Sequence, residues 1–407
     1  MNLISECYKI SIEKLINNTT QDGILAASTQ TLESNKKHYS SLFSRDIGVC
    51  SIGIIQSGNT QLIDSLKTSL INLASVQSDL GQFPFLYKPE KDLVHWRGPG
   101  SIDSSIWWGI AFLEYYKYLK DEIFYNKFKP NLEKLFTWLS YQDTNQDNLL
   151  EQGEASDWAD EMPRRGTVLY TNCLWYWFIS LLQETATNSE EKVKYQELKN
   201  KIYDSFNTIL WIHKSSSSNF DYFPDNEFTK THRYSLGGIE YLNSKIVFLP
   251  YYLGYVSHKN TEIRCDILGN ILACLVNLAD ETKSNSITDS IKRFGGNLPY
   301  PMKAMYPAIY PGEPDWNDYM TKGRQNYPNQ YHNGGIWPFI GGFWVMWLAK
   351  VDKELAYKEL EKLAYANSLN NWEFNEYLHG ELGTPMGIAY QSWNMGMYIA
   401  AHKSIFG

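Results

Sequence analysis

Residues 143–166 read DTNQDNLLEQGEASDWADEMPRRG, a polar, acidic stretch between two apolar, helix-like segments. Asp157, Asp160 and Glu161 gather around Trp158, and Pro163, Arg164, Arg165 and Gly166 follow. Carboxyl groups beside an indole and a pair of guanidinium groups suit proton transfer to a sugar oxygen. Burial against the indole raises a carboxyl pKa and a guanidinium lowers it, so Trp158 and Arg165 are expected to tune Asp160. Asp157 is expected to cap a short turn or to bind a sugar hydroxyl. The stretch also matches a calcium-loop spacing, with Asp143, Asn145, Asp147 and Glu154 at ligand positions. Its sixth position is Asn148 where that loop needs Gly, and no helix pair brackets it, so a tight Asx-rich turn is the expectation and no metal is.

Cleavage of a glycosidic bond needs a second carboxyl group on the opposite face. Further residues able to take part lie in other polar stretches. Phe43, Arg45 and Asp46 end the first; His95, Trp96, Arg97, Asp103, Trp107 and Trp108 belong to the second. His232, Arg233 and Tyr234 lie in the fourth, and Asp315, Trp316, Asn317, Tyr331, His332, Asn333 and Trp337 in the fifth. The sixth holds Trp372, Glu373, Glu376, Tyr377, His379 and Glu381, with Gln391 and Trp393 in the helix beyond. Glu373, Glu376 and Glu381 compete for the second carboxyl on spacing alone. The histidines show no metal-ligand spacing. Aromatic residues reach 15%; most are expected in the core, and the few in loops suit stacking on sugars.

The elements that must position these residues are helical throughout. Apolar periodicity predicts helices at about 2–18, 46–57, 60–76, 105–119, 121–141, 167–185, 189–211, 244–257, 260–278, 334–350, 352–368 and 387–405. The connections alternate: a few residues after each even-numbered helix, and about 18 to about 55 residues after each odd-numbered one. Helices joined by short loops pack antiparallel, so every long loop falls at the same end. Twelve helices arranged this way predict an all-α (α/α)₆ barrel, with residues 1–407 as one catalytic domain. A solenoid of helical hairpins would show a fixed repeat, and none is present. Long loops in a compact fold are usually functional. The third and sixth loops then face each other across the mouth, bringing Asp160 opposite Glu376. A separation of roughly 6.5–9.5 Å would admit water and give inversion.

The net charge of −8 and the lack of a dense basic run argue against nucleic acid or an anionic membrane as partner. The five cysteines show no C-x-x-C spacing and read as small core residues in a reducing compartment. MNLISECYKISIEKL has neither a basic start nor a continuous apolar run, so no signal peptide is expected. The longest apolar run, 337–349, is shorter than the roughly 18 residues of a membrane span. A cytoplasmic protein acting on a carbohydrate without a cofactor is the expectation. Its oligomeric state is not legible.

SLFSRD (41–46), GSIDSSIWWGIAFLEYY (100–116), DWADEMPRRG (157–166), YHNGGIWPF (331–339) and NEYLHG…YQSWNMGMYIAA (375–401) resemble a clan of inverting glycoside hydrolases. The clan includes trehalases, neutral/alkaline invertases and the amylo-1,6-glucosidase part of glycogen debranching enzymes. The resemblance implies an (α/α)₆ barrel. Its Trp-x-Asp-x-Met pattern falls on Trp158, Asp160 and Met162, which prefers Asp160 over Asp157 as general acid. It also selects Glu376, the acid before Tyr377, as general base. Arg45, Asp46, Asp103, Trp107, Trp108, His332, Asn333, Gln391 and Trp393 match positions expected to line the −1 sugar pocket. Trp96, Asp157, Trp158, Arg165 and Trp337 are added as substrate-binding candidates. The segment typical of invertases around their acid is replaced here by MPRRG, and the trehalase signature is not intact. The expected activity is exo-acting, inverting α-glucosidase action of the amylo-1,6-glucosidase type on a short glucan, a disaccharide or a glycosylated small solute. The alternatives are a β-fructofuranosidase on sucrose, a sugar epimerase or isomerase using His95, His232, His332 and His379, and a sugar-binding protein without catalysis.

Overall fold

The computed structural model describes residues 2–29, 38–97, 100–212, 249–258, 260–324 and 326–407. His232, Arg233 and Tyr234 lie outside the described residues. Twelve α-helices are present among those described. They are α1 (Leu3–Asn17), α2 (Ser44–Ser57), α3 (Thr60–Ser75), α4 (Ile102–Leu119), α5 (Glu122–Ser140) and α6 (Leu169–Thr185), then α7 (Ser189–Ile209), α8 (Ile267–Leu275), α9 (Glu281–Arg293), α10 (Pro338–Val351), α11 (Lys353–Trp372) and α12 (Ser392–Phe406).

The even-numbered helices form a closed inner ring. α2 packs between α12 and α4, α6 between α4 and α8, and α10 between α8 and α12. The odd-numbered helices lie outside them, and α1 closes the circle by packing on α11 and α12. The architecture is an all-α (α/α)₆ barrel. Inner helices are apolar nearly all round because they are covered on both sides, whereas an outer helix such as α3 buries one stripe, Leu62, Ile63, Leu66, Leu70 and Leu73. α2 and α12 approach so closely that a Cβ on Gly53 would collide with the Gly396 carbonyl oxygen. Tyr398 of α12 donates to the carbonyl oxygen of Ile4 (3.1 Å), tying the last helix to the first. Cys7, Cys50, Cys173, Cys265 and Cys274 are buried free thiols. No helix among the described residues is long and apolar enough to cross a membrane.

Two helices differ from expectation. Residues 249–257 are not helical; Tyr255–Val256 form a short strand, and the next helix begins at Ile267 instead of 260. The apolar run LPYYLGYV imitates a helix, but Gly254 and the pairing of Tyr255 with Glu262 take it into a sheet. The missing helix is α9, inside the expected loop 279–333. Its polar sequence hides an amphipathic face, Ser284, Ile287 and Ile291, and Asp280 caps it by accepting from the Lys283 amide (2.8 Å). Short and long connections still alternate, so the long loops share the end where the inner helices begin. They carry small antiparallel sheets. β-strands Leu42–Phe43, Leu86–Lys88 and Leu93–His95 form one, and Glu151–Gln152, Gly166–Val168, Tyr255–Val256 and Thr261–Glu262 form another.

Candidate active site

Over the inner ring lies an open cavity of about 380 Å³. Asp160 and Glu376 both line it, and neither Glu373 nor Glu381 does. Glu373 accepts from Asn370 at 2.9 Å near the surface, and Glu381 is exposed. Glu376 precedes the hairpin of Tyr377–Leu378 with Pro385–Met386. Its amide donates to the Ile388 carbonyl, and its Oε2 accepts from the Ile388 amide, both at 2.9 Å. Its Oε1 accepts from the Tyr39 hydroxyl at 2.7 Å. Gly387 makes room: with φ of 74° it adopts a left-handed backbone, and a Cβ there would lie 2.7 Å from the Cβ of Glu376.

Asp160 sits in a turn fixed by Asp157, whose Oδ1 accepts from the Ala159 amide at 2.8 Å. Its carboxylate pairs with Arg97 Nη1 at 2.7 Å, and its side chain is only 12% exposed. Burial raises its pKa to about 7 against the pull of Arg97 and Arg45, with Glu161 and Asp157 adding to the rise. The cation beside Asp160 is therefore Arg97, not Arg165, which pairs with Glu154 (2.8 Å) outside the cavity. Arg97 reaches in from a different loop, and spacing along the chain gives no means of pairing it with Asp160. Asp46, in the first turn of α2, also lines the cavity, and burial raises its carboxyl to about 7.

The remaining expected residues divide by position. Trp158, His332, Trp337 and Trp393 line the cavity with Arg45 and Asp46. The Trp158 ring stands edge-on to His332 (5.0 Å) and Trp337 (5.4 Å), and Trp393 stacks on Phe339 (4.4 Å). The buried indole nitrogens of Trp158 and Trp393 have no hydrogen-bond partner among the described residues. Burial and the charges of Arg164, Arg45 and Arg97 hold His332 neutral, its pKa well below the usual value. Tyr39, Phe43, Phe85 and Tyr331 join them. Tyr39 and Phe85 carried no sequence signal. Phe85 lies under both guanidinium groups, with Arg45 at 5.5 Å and Arg97 at 5.2 Å from its ring centre.

Asp103, Trp107 and Trp108 lie behind the wall and do not line the cavity. Asp103 binds Arg45 through two hydrogen bonds (2.6 and 3.0 Å) and accepts from Tyr170 at 3.1 Å, linking the starts of α2, α4 and α6. Trp107 donates to Tyr170 (2.8 Å); Trp108 donates to the Leu70 carbonyl (3.1 Å) and stacks on Phe83. Asn333 is a strut, bonded to the backbone of Ile309 and Asn326. Gln391 is fully buried at the cap of α12, outside the cavity lining. Asp157 is buried against Arg164 (3.3 Å), which continues to Asp266 (3.0 Å). Trp96 faces a separate cleft. Of the histidines weighed for epimerisation, His95 and His332 line the cavity, as does His38, and His379 does not; its Nδ1 accepts from the Glu381 amide (3.2 Å). In the calcium-like stretch, Asp143 accepts from the amides of Asp147 and Asn148 (both 3.0 Å), Asp147 from Leu149 (2.8 Å), and Glu154 pairs with Arg165. No group of three or more metal-ligating side chains forms among the described residues.

An (α/α)₆ basin holding four carboxyl groups, Asp46, Asp160, Glu161 and Glu376, among aromatic rings, with Asp46 and Asp160 raised to about 7, has the makeup of a glycoside hydrolase. Residues 99–406 match the family model for alkaline and neutral invertase, and the chain belongs to that family of glycoside hydrolases. Chloroplastic alkaline/neutral invertase E of Arabidopsis thaliana is 29% identical over 164 residues, 38% of this chain and 26% of that protein. Cytosolic invertase 1 of Oryza sativa subsp. japonica is 29% identical over 166 residues, 38% and 28% respectively. The matched stretch thus spans about a quarter of each relative's length. A GH63 mannosylglycerate hydrolase from Thermus thermophilus, in complex with Tris, shares the fold with a TM-score of 0.65 at 12% identity, covering 97% of this chain and 99% of that one.

Proposed function

We propose that the chain, acting as one catalytic domain, hydrolyses the α-glucosidic bond of a small sugar with inversion, and that sucrose is its substrate. The bond in sucrose is α at glucose and β at fructose, so the α-glucosidase and invertase expectations meet on one molecule. The observation that carries the reading is the buried Asp160 carboxyl, raised to about 7, in the same cavity as Glu376. A carboxyl in that range holds its proton near neutral pH and gives it to the leaving oxygen. Glu376 removes a proton from water as that water attacks the anomeric carbon from the other face. Tyr39 and the Ile388 amide hold its two oxygens in place. Asp46 and Arg45 border the cavity beside them, and Trp158, Trp337 and Trp393 offer stacking faces. The invertase relatives support sucrose over a glucan. His379 lies outside the cavity and His332 is neutral, which weighs against histidine-based epimerisation. The relatives are described as cytosolic, chloroplastic or mitochondrial, and a cytoplasmic site of action is part of the proposal.

The test is hydrolysis of sucrose, trehalose, maltose, isomaltose and glucosylglycerate in H₂¹⁸O, with the nascent anomer followed by NMR. Label in glucose, released first as the β-anomer, supports cleavage at the glucosyl carbon with inversion. Label in fructose overturns the glucosidic assignment. Turnover of isomaltose without sucrose restores the amylo-1,6-glucosidase reading.

A further inference from the structure

A second cleft, of about 380 Å³, opens on the far side of Arg97 from the catalytic cavity. It is lined by Trp96 and Gln82 from the connection before α4, Trp138 from the end of α5, and Gln142 and Glu151 from the loop after it. None of these five lines the catalytic cavity; Arg97 lines both. The volume lies within the range of about 300–1,000 Å³ usual for small-ligand sites.

The cleft is built on ordered backbone. Ser78 and Gln82 close a turn, with the Gln82 amide donating to Ser78 Oγ (2.9 Å) and the Ser78 amide to the Gln82 carbonyl (3.0 Å). Gly81 lets this turn press on α5, because a Cβ there would collide with the Lys134 carbonyl. Across the cleft, the Glu151 amide donates to the Gln142 carbonyl (3.0 Å), and Glu151 Oε2 accepts from the amide and hydroxyl of Thr144 (2.7 and 2.8 Å). Several polar groups are left over. Glu151 Oε1 is buried without a hydrogen-bond partner. The side-chain amide of Gln82 and the indole N–H groups of Trp96 and Trp138 make no hydrogen bond among the described residues.

Two indole faces, the Gln82 carboxamide, the Gln142 carboxamide with one N–H already given to the Trp138 carbonyl (3.0 Å), and one oxygen of the Glu151 carboxyl match a neutral polyol. Indole faces cover the C–H side of a sugar ring, carboxamides pair donor and acceptor with adjacent hydroxyls, and a lone carboxylate oxygen accepts from a third. The cleft's one guanidinium is already bound to Asp160, which disfavours an anion. We propose that this cleft is a second, non-catalytic binding site for a small neutral sugar.

The experiment uses the full chain carrying Glu376→Gln, which binds sugar without turnover. Glucose, fructose, sucrose and maltose are titrated by calorimetry, with saturation-transfer NMR as a second readout. Two saturable events per chain are expected for at least one sugar. Trp96→Ala, and separately Gln82→Ala with Gln142→Ala, should weaken one event at least tenfold and leave the melting temperature unchanged. Trp393→Ala should remove the other event. On the Glu376 background, the Gln82→Ala/Gln142→Ala protein should keep its hydrolytic rate. Binding, in one event or two, that survives both cleft variants unchanged overturns the proposal. If sucrose is not hydrolysed and the Trp393-dependent event is missing while the Trp96-dependent event persists, the function proposed above fails and the second site stands.

Discussion

Along residues 143–149 the acidic side chains turn onto their own backbone. Asp143 accepts from the amides of Asp147 and Asn148, and Asp147 from Leu149. A few residues on, the same loop behaves differently. Asp157 meets Arg164 and through it Asp266 at the cap of α8, while Asp160 meets Arg97 from another loop. Both segments carry aspartates. A carboxylate satisfied by nearby amides is a structural device, because its partners are within a few residues and its charge is spent locally. A carboxyl buried beside a cation from a distant loop has a pKa set by tertiary structure, and that makes it available for proton transfer.

The largest effect should separate the two segments outright. Asp160→Asn should lower kcat by roughly 10²–10⁴-fold, the usual contribution of a general acid, measured on the substrate found in the labelling experiment. The variant should melt no lower than the parent. The folded carboxyl titrates at about 7 against an ordinary 3.8. Between those values the folded state keeps a proton that the unfolded chain has lost. The group's contribution to stability therefore falls as pH rises through that window, and the asparagine removes the loss. Wild-type activity surviving in Asp160→Asn would remove the contrast altogether.

Arg164→Met should come next. It strips the counter-charge from buried Asp157 and Asp266. Breaking a buried pair on one side costs about 3–5 kcal/mol, readable in urea unfolding. Arg97→Met sharpens the comparison more finely. Arg97 lowers the Asp160 pKa, so its removal should move the alkaline limb of the pH–rate profile upward from about 7 by roughly a unit or more. An unmoved limb would assign it to Asp46, whose carboxyl is also raised to about 7. Smallest of all, Asp143→Ala should cost about 1 kcal/mol through lost amide bonds and leave kcat unchanged, and millimolar calcium should not shift its parent's melting temperature.

Nothing in the order of residues ranks Arg97 against Arg165. Arg165 is close to Asp160 along the chain, yet it points to Glu154; Arg97 is far along the chain and makes the ion pair. Proximity in sequence does not predict which guanidinium faces inward once a loop folds over a ring of helices. The same limit separates Trp158, Trp337 and Trp393, which reach the cavity, from Trp107 and Trp108, which fill the space between helices. All sit near loop ends with similar neighbours, and only the rotation of each helix start decides which ring faces the cavity and which faces the core. Tyr39 and Phe85 were silent for a related reason: one phenol on Glu376 and one ring beneath two arginines become visible only when distant loops meet.

What the sequence determined by itself was periodic or local. Helical repeats and the alternation of short and long connections dictated an (α/α)₆ ring with its long loops at one end, because chain geometry leaves antiparallel hairpins no other closed arrangement. That geometry survived the misplacement of two helices, since α9 supplied the hairpin partner that residues 249–257 did not. Asx turns were legible in residues 143–148 because their partners lie within reach of the same short segment. Spacing left three glutamates level and the family motif chose Glu376, whereas tertiary structure alone decided which arginine faces Asp160 and how far burial lifts that carboxyl. Those outcomes depend on the exclusion of water and on charges brought together from loops far apart, and neither is written into any one stretch of the chain.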